Sequence, residues 1–291
     1  MYAVTSPSDV SPEVVPVTGM HGRVELSFSA GARGRGQLKD LYQTSPFRVM
    51  FPTLPSDELP SAVLVTTSGG LVGGDRLHVG VTVEPGAAVQ IMGQAAEKVY
   101  RSKGPDVYFN ADLQVGADGY LEWLPQETIV FDRARLRRTT RVDVAESGEY
   151  CGAEMLVFGR AAMGERVSTG LIRDVWDVRQ GGKRVWADAL HLDGDIGAQL
   201  DHPAGFGGAR AVATFVHVSP HTPERLELAR TLLGEDRDGL RTGATVVNGI
   251  LVVRWLANDV QRMRTAFGDF WAAFRAQTQN LPGKMPRLWH V

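Results

Sequence analysis

The sequence predicts a mainly β fold with a helical layer at its C-terminal end. Three observations predict it. Apolar and polar residues alternate with a period of two through most of the chain up to about residue 218. The 33 glycines and 15 prolines are scattered between these runs without a period, as turn residues punctuate many short strands. A helical period enters only after Thr222. Strands followed by helices predict one layered domain over 22–291, with no clean linker inside it.

The first 21 residues, rich in Pro, Ser and Val, predict a flexible leader. A strand-rich body follows over about 22–218. RVELSFSA (Arg23–Ala30) alternates, and so does LHVGVTVE (Leu77–Glu84), which ends at the turn dipeptide Pro85-Gly86. AVQIMG, VYFNADLQV, YLEWL, TTRVDV and YCGAEMLVFG continue the pattern. Arg173–Leu192 reads as a hairpin in which Gly181-Gly182 supplies positive φ. Alternation alone leaves a barrel, a sandwich and a stacked solenoid open.

The part from about 219 to 291 is mixed. Thr222-Pro223-Glu224 predicts a helix start, with a capping hydroxyl and proline at the first helical position, and Gly234 ends that helix. GATVVNGILVVRWLA (Gly243–Ala257) reads as one strand-like run. Asn258 with Gln261 forms a capping box for a second helix, which Pro282 ends. Val260, Met263, Phe267, Phe270, Trp271 and Phe274 share one face of it and read as core packing.

Composition narrows the function classes. Hydrophobic residues at 43%, charged residues at 22% and a formal charge of −2 describe an ordinary globular chain with no electrostatic call for nucleic acid. A single cysteine, Cys151, excludes an internal disulfide framework and fits a reducing compartment. It reads as a small buried hydrophobe. The chain has no apolar stretch of the roughly 20 residues a membrane helix needs and no secretory signal, so a cytoplasmic location is expected and no membrane partner.

TTSGGLVGGDRL (Thr66–Leu77) tests for nucleotide binding. Gly69 and Gly74 have the spacing of a phosphate loop, but Asp75 stands where the lysine belongs, and a strand pattern follows instead of a helix. A carboxylate there repels phosphate. A tight turn closed by Asp75 is the remaining local reading.

Five collinear blocks carry a resemblance: SGGLVGGDRL, QAAEKVYRS (Gln94–Ser102), LEWLPQETIVFDRARLRR (Leu121–Arg138), EMLVFGRAAMGE (Glu154–Glu165) and ADALHL, with DLYQTSPFRVMFP and the closing PRLW in agreement. In this order they resemble the UreD (UreH) family of urease accessory proteins, from about Gly22 to the C-terminus. The resemblance implies a β-helix-like stack of sheets with two helices. It implies a non-enzymatic role in urease maturation: binding the urease apoprotein and UreF, which recruits the GTPase UreG, and passing Ni²⁺ through a water-filled tunnel. It implies no tightly bound cofactor, with Ni²⁺ bound only in transit.

A conduit needs groups that bind Ni²⁺ and release it. The chain has one Cys and seven His and no C-x-x-C or H-x-x-x-H, so a tight cage is not expected. The candidates are acids inside otherwise apolar blocks: Asp75, Glu97, Glu154 and Asp188. Buried carboxylates must meet a cation, a donor or water, and the resemblance assigns these four to the nickel path. A structural salt bridge is the alternative for each, with Lys98, Arg101 and Arg160 nearby in sequence. Lys98 and Arg101 read as braces for core carboxylates, and Gln126 and Glu127 as turn residues. His191, Asp193, Asp195, Asp201 and His202 look metal-like by composition but read as an exposed loop. The basic run RARLRR (Arg133–Arg138) reads as a solvated protein interface, and the tail GKMPRLWHV as a place for a partner. Two other readings remain: a β-rich hydrolase using paired carboxylates, and a plain interaction module without a metal role.

Overall fold

The computed structural model describes residues 19–160, 163–236 and 239–290. The expected leader lies outside the described residues up to residue 18.

The described residues open with an antiparallel hairpin, β1 (His21–Ala30) and β2 (Gly36–Gln43), and then β3 (Phe47–Met50) pairs with β4 (Ser61–Thr66). From there it coils. β5 (Arg76–Val83), β8 (Val107–Val115) and β11 (Arg135–Val144) stack in parallel in one sheet. β6 (Ala88–Gly93), β9 (Tyr120–Leu124) and β12 (Glu149–Phe158) stack in parallel in a second. The short β7 (Glu97–Val99) and β10 (Thr128–Val130) lie in parallel beside the end of β12. This is the β-helix-like stack, and the parallel ladders are what alternation alone left undecided.

Antiparallel strands flank the coils. β13 (Thr169–Gln180) joins β11 in parallel and turns through Gly181-Gly182, at φ 55° and 76°, into β14 (Lys183–Asp195). This is the predicted hairpin. A short helix, α1 (Ile196–Asp201), follows, and then β15 (Ala211–Val218) extends the second sheet. After α2 (Thr222–Leu233), β16 (Leu240–Val247) and β17 (Ile250–Ala257) complete that sheet, and α3 (Val260–Gln279) closes the fold.

Period-two patterning fills the space between the sheets. Val79, Ala111, Thr140 and Trp176 stand in one cross-strand row, and Val81, Leu113, Val142 and Val178 in the next. From the second sheet Val89, Leu121, Tyr150 and Val218 form a facing row, and all of these are buried. The other face of the second sheet is covered by α2, α3 and the tail. There Phe215 receives Phe270, Trp271 and Phe274 edge-on at 5.2–5.8 Å. The predicted stripe on α3 is core except for Val260, which is half-buried.

Local chemistry moved several boundaries. Asp259, not Asn258, caps α3: its Oδ1 accepts from Arg262 N at 3.0 Å. Thr222 lies inside α2 and its hydroxyl donates to Ser219 O, while His221 holds the cap position without a side-chain bond. The single run over 243–257 is two strands, because Asn248 and Gly249 take φ 48° and 83° and turn the chain back. The expected acidic loop is ordered structure: Asp193 and Asp195 end β14, and Asp195 Oδ1 caps α1 through Ala198 N. Among the described residues no group of three or more His, Cys, Asp or Glu is gathered as for a metal. Cys151 is buried, and no described helix is long and apolar enough to cross a membrane.

Candidate functional site

The glycine-rich loop is a turn, built by close approach. Gly70 has φ 139°, and a Cβ there would stand 2.5 Å from the Tyr100 ring; Gly74 has φ 101°. Asp75 closes the turn. It is fully buried, with Oδ2 accepting from Val72 N and Oδ1 from Met20 N, both at 2.8 Å. β5 follows directly, so there is no helix N-terminus for a phosphate.

This loop borders a cavity of about 240 Å³. Ser68, Gly69 and Gly70 form one side of it, and Gln94–Lys98 form another. Trp123 and Gln126 line it from the second sheet, with Thr128, Arg138 and Glu154 deeper in. A second cavity, of about 250 Å³, is lined by Glu154, Asp174, Trp176, Asp188, Thr214 and Arg254. Glu154 belongs to both walls. Three of the four candidate acids therefore meet along this pair of cavities: Glu97 in the first, Glu154 in both, Asp188 in the second. Asp75 lines neither.

The junction is ionic. Arg138 donates to Asp174 through Nε and Nη2 at 2.8 and 2.7 Å, and through Nη1 to Thr128 at 3.1 Å. Its Nε also lies 3.0 Å from Glu154 Oε2, an ion pair that closes no hydrogen bond. Glu154 Oε1 accepts from Thr140 at 2.5 Å. One guanidinium thus faces two buried carboxylates. Burial pushes Glu154 up from 4.5 to about 7; Arg138 opposes the rise and Asp174 adds to it. Burial also raises Glu97, against hydrogen bonds from the Thr66 hydroxyl and Lys98 N. Asp188 is half-exposed and paired with Arg254.

The Glu154 shift makes a stability prediction. A carboxyl raised in the folded state favours folding fully below pH 4.5 and loses that contribution as pH rises through about 7. The loss amounts to about 3 kcal/mol. Glu154→Gln removes it, so the variant's stability relative to the parent should climb between those pH values. Urea unfolding across that range checks this; parallel curves for the two proteins would show Glu154 to be charged and satisfied throughout.

Arg138, Asp174 and Thr140 were not singled out from the sequence, yet the signal was present. Leu136, Arg138, Thr140 and Val142 alternate on one face of β11, which turns Arg138 inward with the apolar residues. The basic run is therefore not a solvated interface as a whole. Arg138 is internal, and Arg135 and Arg137 both grip Asp106, at 2.6 and 2.5 Å. Lys98 and Arg101 are exposed, and among the described residues neither forms an ion pair with a core carboxylate; buried arginines brace the core instead.

A second polar group, on the helix side, was also missed. Fully buried Glu122 accepts from Gln90, Tyr120 and Arg275 of α3. Gln126 and Glu127 are not turn residues that serve only their own backbone. Arg264 of α3 binds both, and Gln126 Nε2 donates to Leu288 O in the tail. Trp289 packs inward against Phe267 and beneath Arg264. The tail thus braces the connection between β9 and β10, where Gln126 lines the first cavity.

Comparison with known proteins gives a match along the whole described chain. The family model for the UreD urease accessory protein matches residues 20–290. The chain is 44% identical over 279 residues to the urease accessory protein UreD of Magnetococcus marinus, covering 95% of this chain and 96% of that one. It is 42% identical over 258 residues to urease accessory protein UreD 2 of Methylorubrum populi, covering 89% of this chain and 85% of that one.

Proposed function

The chain belongs to the UreD family of urease accessory proteins, and from that membership we propose that it serves urease maturation as a scaffold and nickel conduit, without catalysis of its own. It bridges the urease apoprotein and UreF, and through UreF the GTPase UreG. The observation that carries the conduit is the pair of cavities that share Glu154, with Glu97 and Asp188 in their outer walls. Ni²⁺ is the cargo. It passes Glu97, Glu154 and Asp188 in turn, and Asp75 shapes the entrance by holding the glycine turn closed.

This division of labour is chemically apt. Carboxylates with retained water bind Ni²⁺ more weakly than His or Cys cages and exchange it faster. Glu154, which burial pushes up to about 7 against one shared arginine, gains a counter-charge when a cation is beside it. Nucleotide chemistry belongs to UreG, in keeping with the aspartate where a phosphate loop needs lysine.

The test is urease activation in cells that supply apo-urease, UreF, UreG and nickel, with and without this chain. Activity and nickel per active site on purified urease should both rise only when the chain is present. Glu154→Leu, which keeps the volume but no ligand, should cut nickel loading about tenfold or more, the worth of one charge-assisted contact. Equal activity and nickel without the chain would remove the maturation role; full loading by the Leu variant would remove the conduit and leave the scaffold.

A further inference from the structure

Helices α2 and α3 cover the second sheet, while most outward-facing residues of the first sheet reach solvent. The strand registers bring one residue from each of six strands into a single line across that open face. The line runs His21 (β1), Arg76 (β5), Tyr108 (β8), Arg137 (β11), Arg173 (β13) and His191 (β14). Each is exposed or half-buried, and the line contains no acid.

Another row of the same face is built differently. Four residues further along the strands, Glu25, Asp112, Arg141 and Asp177 share a row in which the charges offset one another. Arg141 pairs with Asp112 at 3.1 Å, and Arg184 joins Asp177 at 2.7 Å. The basic row has no such balance. Arg137 and Arg173 stand directly opposite each other, and like charges in that position destabilise a sheet. Asp106 holds Arg137 but shares its carboxylate with Arg135. Asp193, two residues past His191 on β14, acts on Arg137 as a more distant charge. Arg76 lies over the Tyr108 ring, 4.4 Å from its centroid. Among the described residues neither Arg76 nor Arg173 has an ion pair.

We propose that this row is a docking surface for an acidic segment of a partner protein. Carboxylates of that segment meet Arg76 and Arg173 and offset the repulsion between Arg173 and Arg137. The surroundings favour a narrow acidic ribbon over nucleic acid. The row crosses five strand spacings, roughly 24 Å, but is one residue wide, and the acids of the neighbouring row lie roughly 13 Å away along the strands. A duplex carries a phosphate charge about every 1.7 Å and would press on those acids as well. The one aromatic ring of the row is covered by Arg76 and offers no free face on which a base could stack. The surface is separate from the conduit: Arg137 faces outward, whereas Arg138, next to it on β11, lines the first cavity.

The test is fluorescence anisotropy of a labelled peptide of about twelve alternating Glu and Ser residues, titrated with the purified full-length chain at low salt and at about 0.15 M ionic strength. The peptide should bind the parent, and more weakly at the higher salt. Arg76→Gln with Arg173→Gln should weaken binding about tenfold with an unchanged circular dichroism spectrum, since neither arginine has an ion pair to lose. Arg141→Gln with Arg184→Gln removes the same charge from the same face, but from paired positions, and should change binding by no more than about twofold. Equal losses in the two double variants would mean that net charge alone attracts the peptide, and the inference fails; it fails too if the parent does not bind. Tighter binding of a DNA duplex, lost in the Arg76 and Arg173 variant, would make the row a nucleic-acid surface and overturn the proposal.

Discussion

Replacing Arg138 with methionine destabilises the protein by about 3–5 kcal/mol at mildly alkaline pH, and by clearly less at mildly acidic pH. The reason is the charge count at the junction. Among the described residues Arg138 is the one cation that ion-pairs with Asp174 and Glu154, and all three side chains are 10% exposed or less. Methionine fills much of the volume but leaves two buried carboxylates without a counter-charge. Glu154 already stands at about 7 with Arg138 present, and without it protonation is favoured still further. At low pH the variant escapes part of the penalty by holding a proton there. At high pH it cannot, so the loss grows as pH rises. Urea unfolding at two pH values measures the difference, and Glu154→Gln in the same background should recover part of the alkaline loss. A loss under about 1 kcal/mol, equal at both pH values, would match a solvated surface pair and would place water throughout the junction.

The element order was largely legible in the sequence because period-two alternation reports which face of a strand is buried. The strands after Arg23, Leu77 and Tyr120 and the Gly181-Gly182 hairpin were all readable in this way. What alternation does not report is the neighbour. β5, β8 and β11 pair with one another across intervals of about 30 residues, and no local signal distinguishes that parallel ladder from an antiparallel meander. The coil therefore came from resemblance and not from pattern. The missed turn at Asn248-Gly249 was a local signal passed over inside a long apolar run.

The candidate site was half legible. Glu97, Glu154 and Asp188 stand out as acids in apolar blocks, and these three line the cavities. Asp75 stands out in the same way, yet its oxygens are taken by two backbone N–H groups. Sequence shows that an acid is enclosed and leaves open what encloses it. Arg138 was hidden by its neighbours: five other residues of its run drew attention as a charged surface, although the alternation Leu136, Arg138, Thr140, Val142 assigns it to the core. Its partner Asp174 sits 36 residues away and meets it only through the β11–β13 ladder, which sequence separation conceals. The same holds for Glu122 and Arg275, 153 residues apart.

Arg275→Met should be the other severe substitution, with a loss of about 3–5 kcal/mol, and it tests how the helical layer is held. Apolar packing of Phe270, Trp271 and Phe274 on Phe215 would retain α3 on the sheet without any charge. Yet the sheet presents Glu122, 0% exposed, beneath that helix. Arg275 donates to it at 3.0 and 3.2 Å, then to Glu58 at 3.0 Å and to Pro282 O at 3.2 Å. One side chain thus joins the second sheet, the segment before β4 and the chain beyond α3. Methionine leaves Glu122 with Gln90 and Tyr120 as its donors and no cation. Because the penalty lies in the orphaned carboxylate and not in the missing contact, Glu122→Gln together with Arg275→Met should regain most of the loss, whereas Glu58→Gln should regain little, since Glu58 reaches Lys284 and is less enclosed. Urea midpoints of the four proteins decide this. If neither double variant recovers, the arginine's role is to hold Pro282 and the tail. The loss should then be accompanied by exposure of Trp289, seen as a red-shifted emission at low urea, and by loosening of Gln126 in the cavity wall to which that tail is bonded.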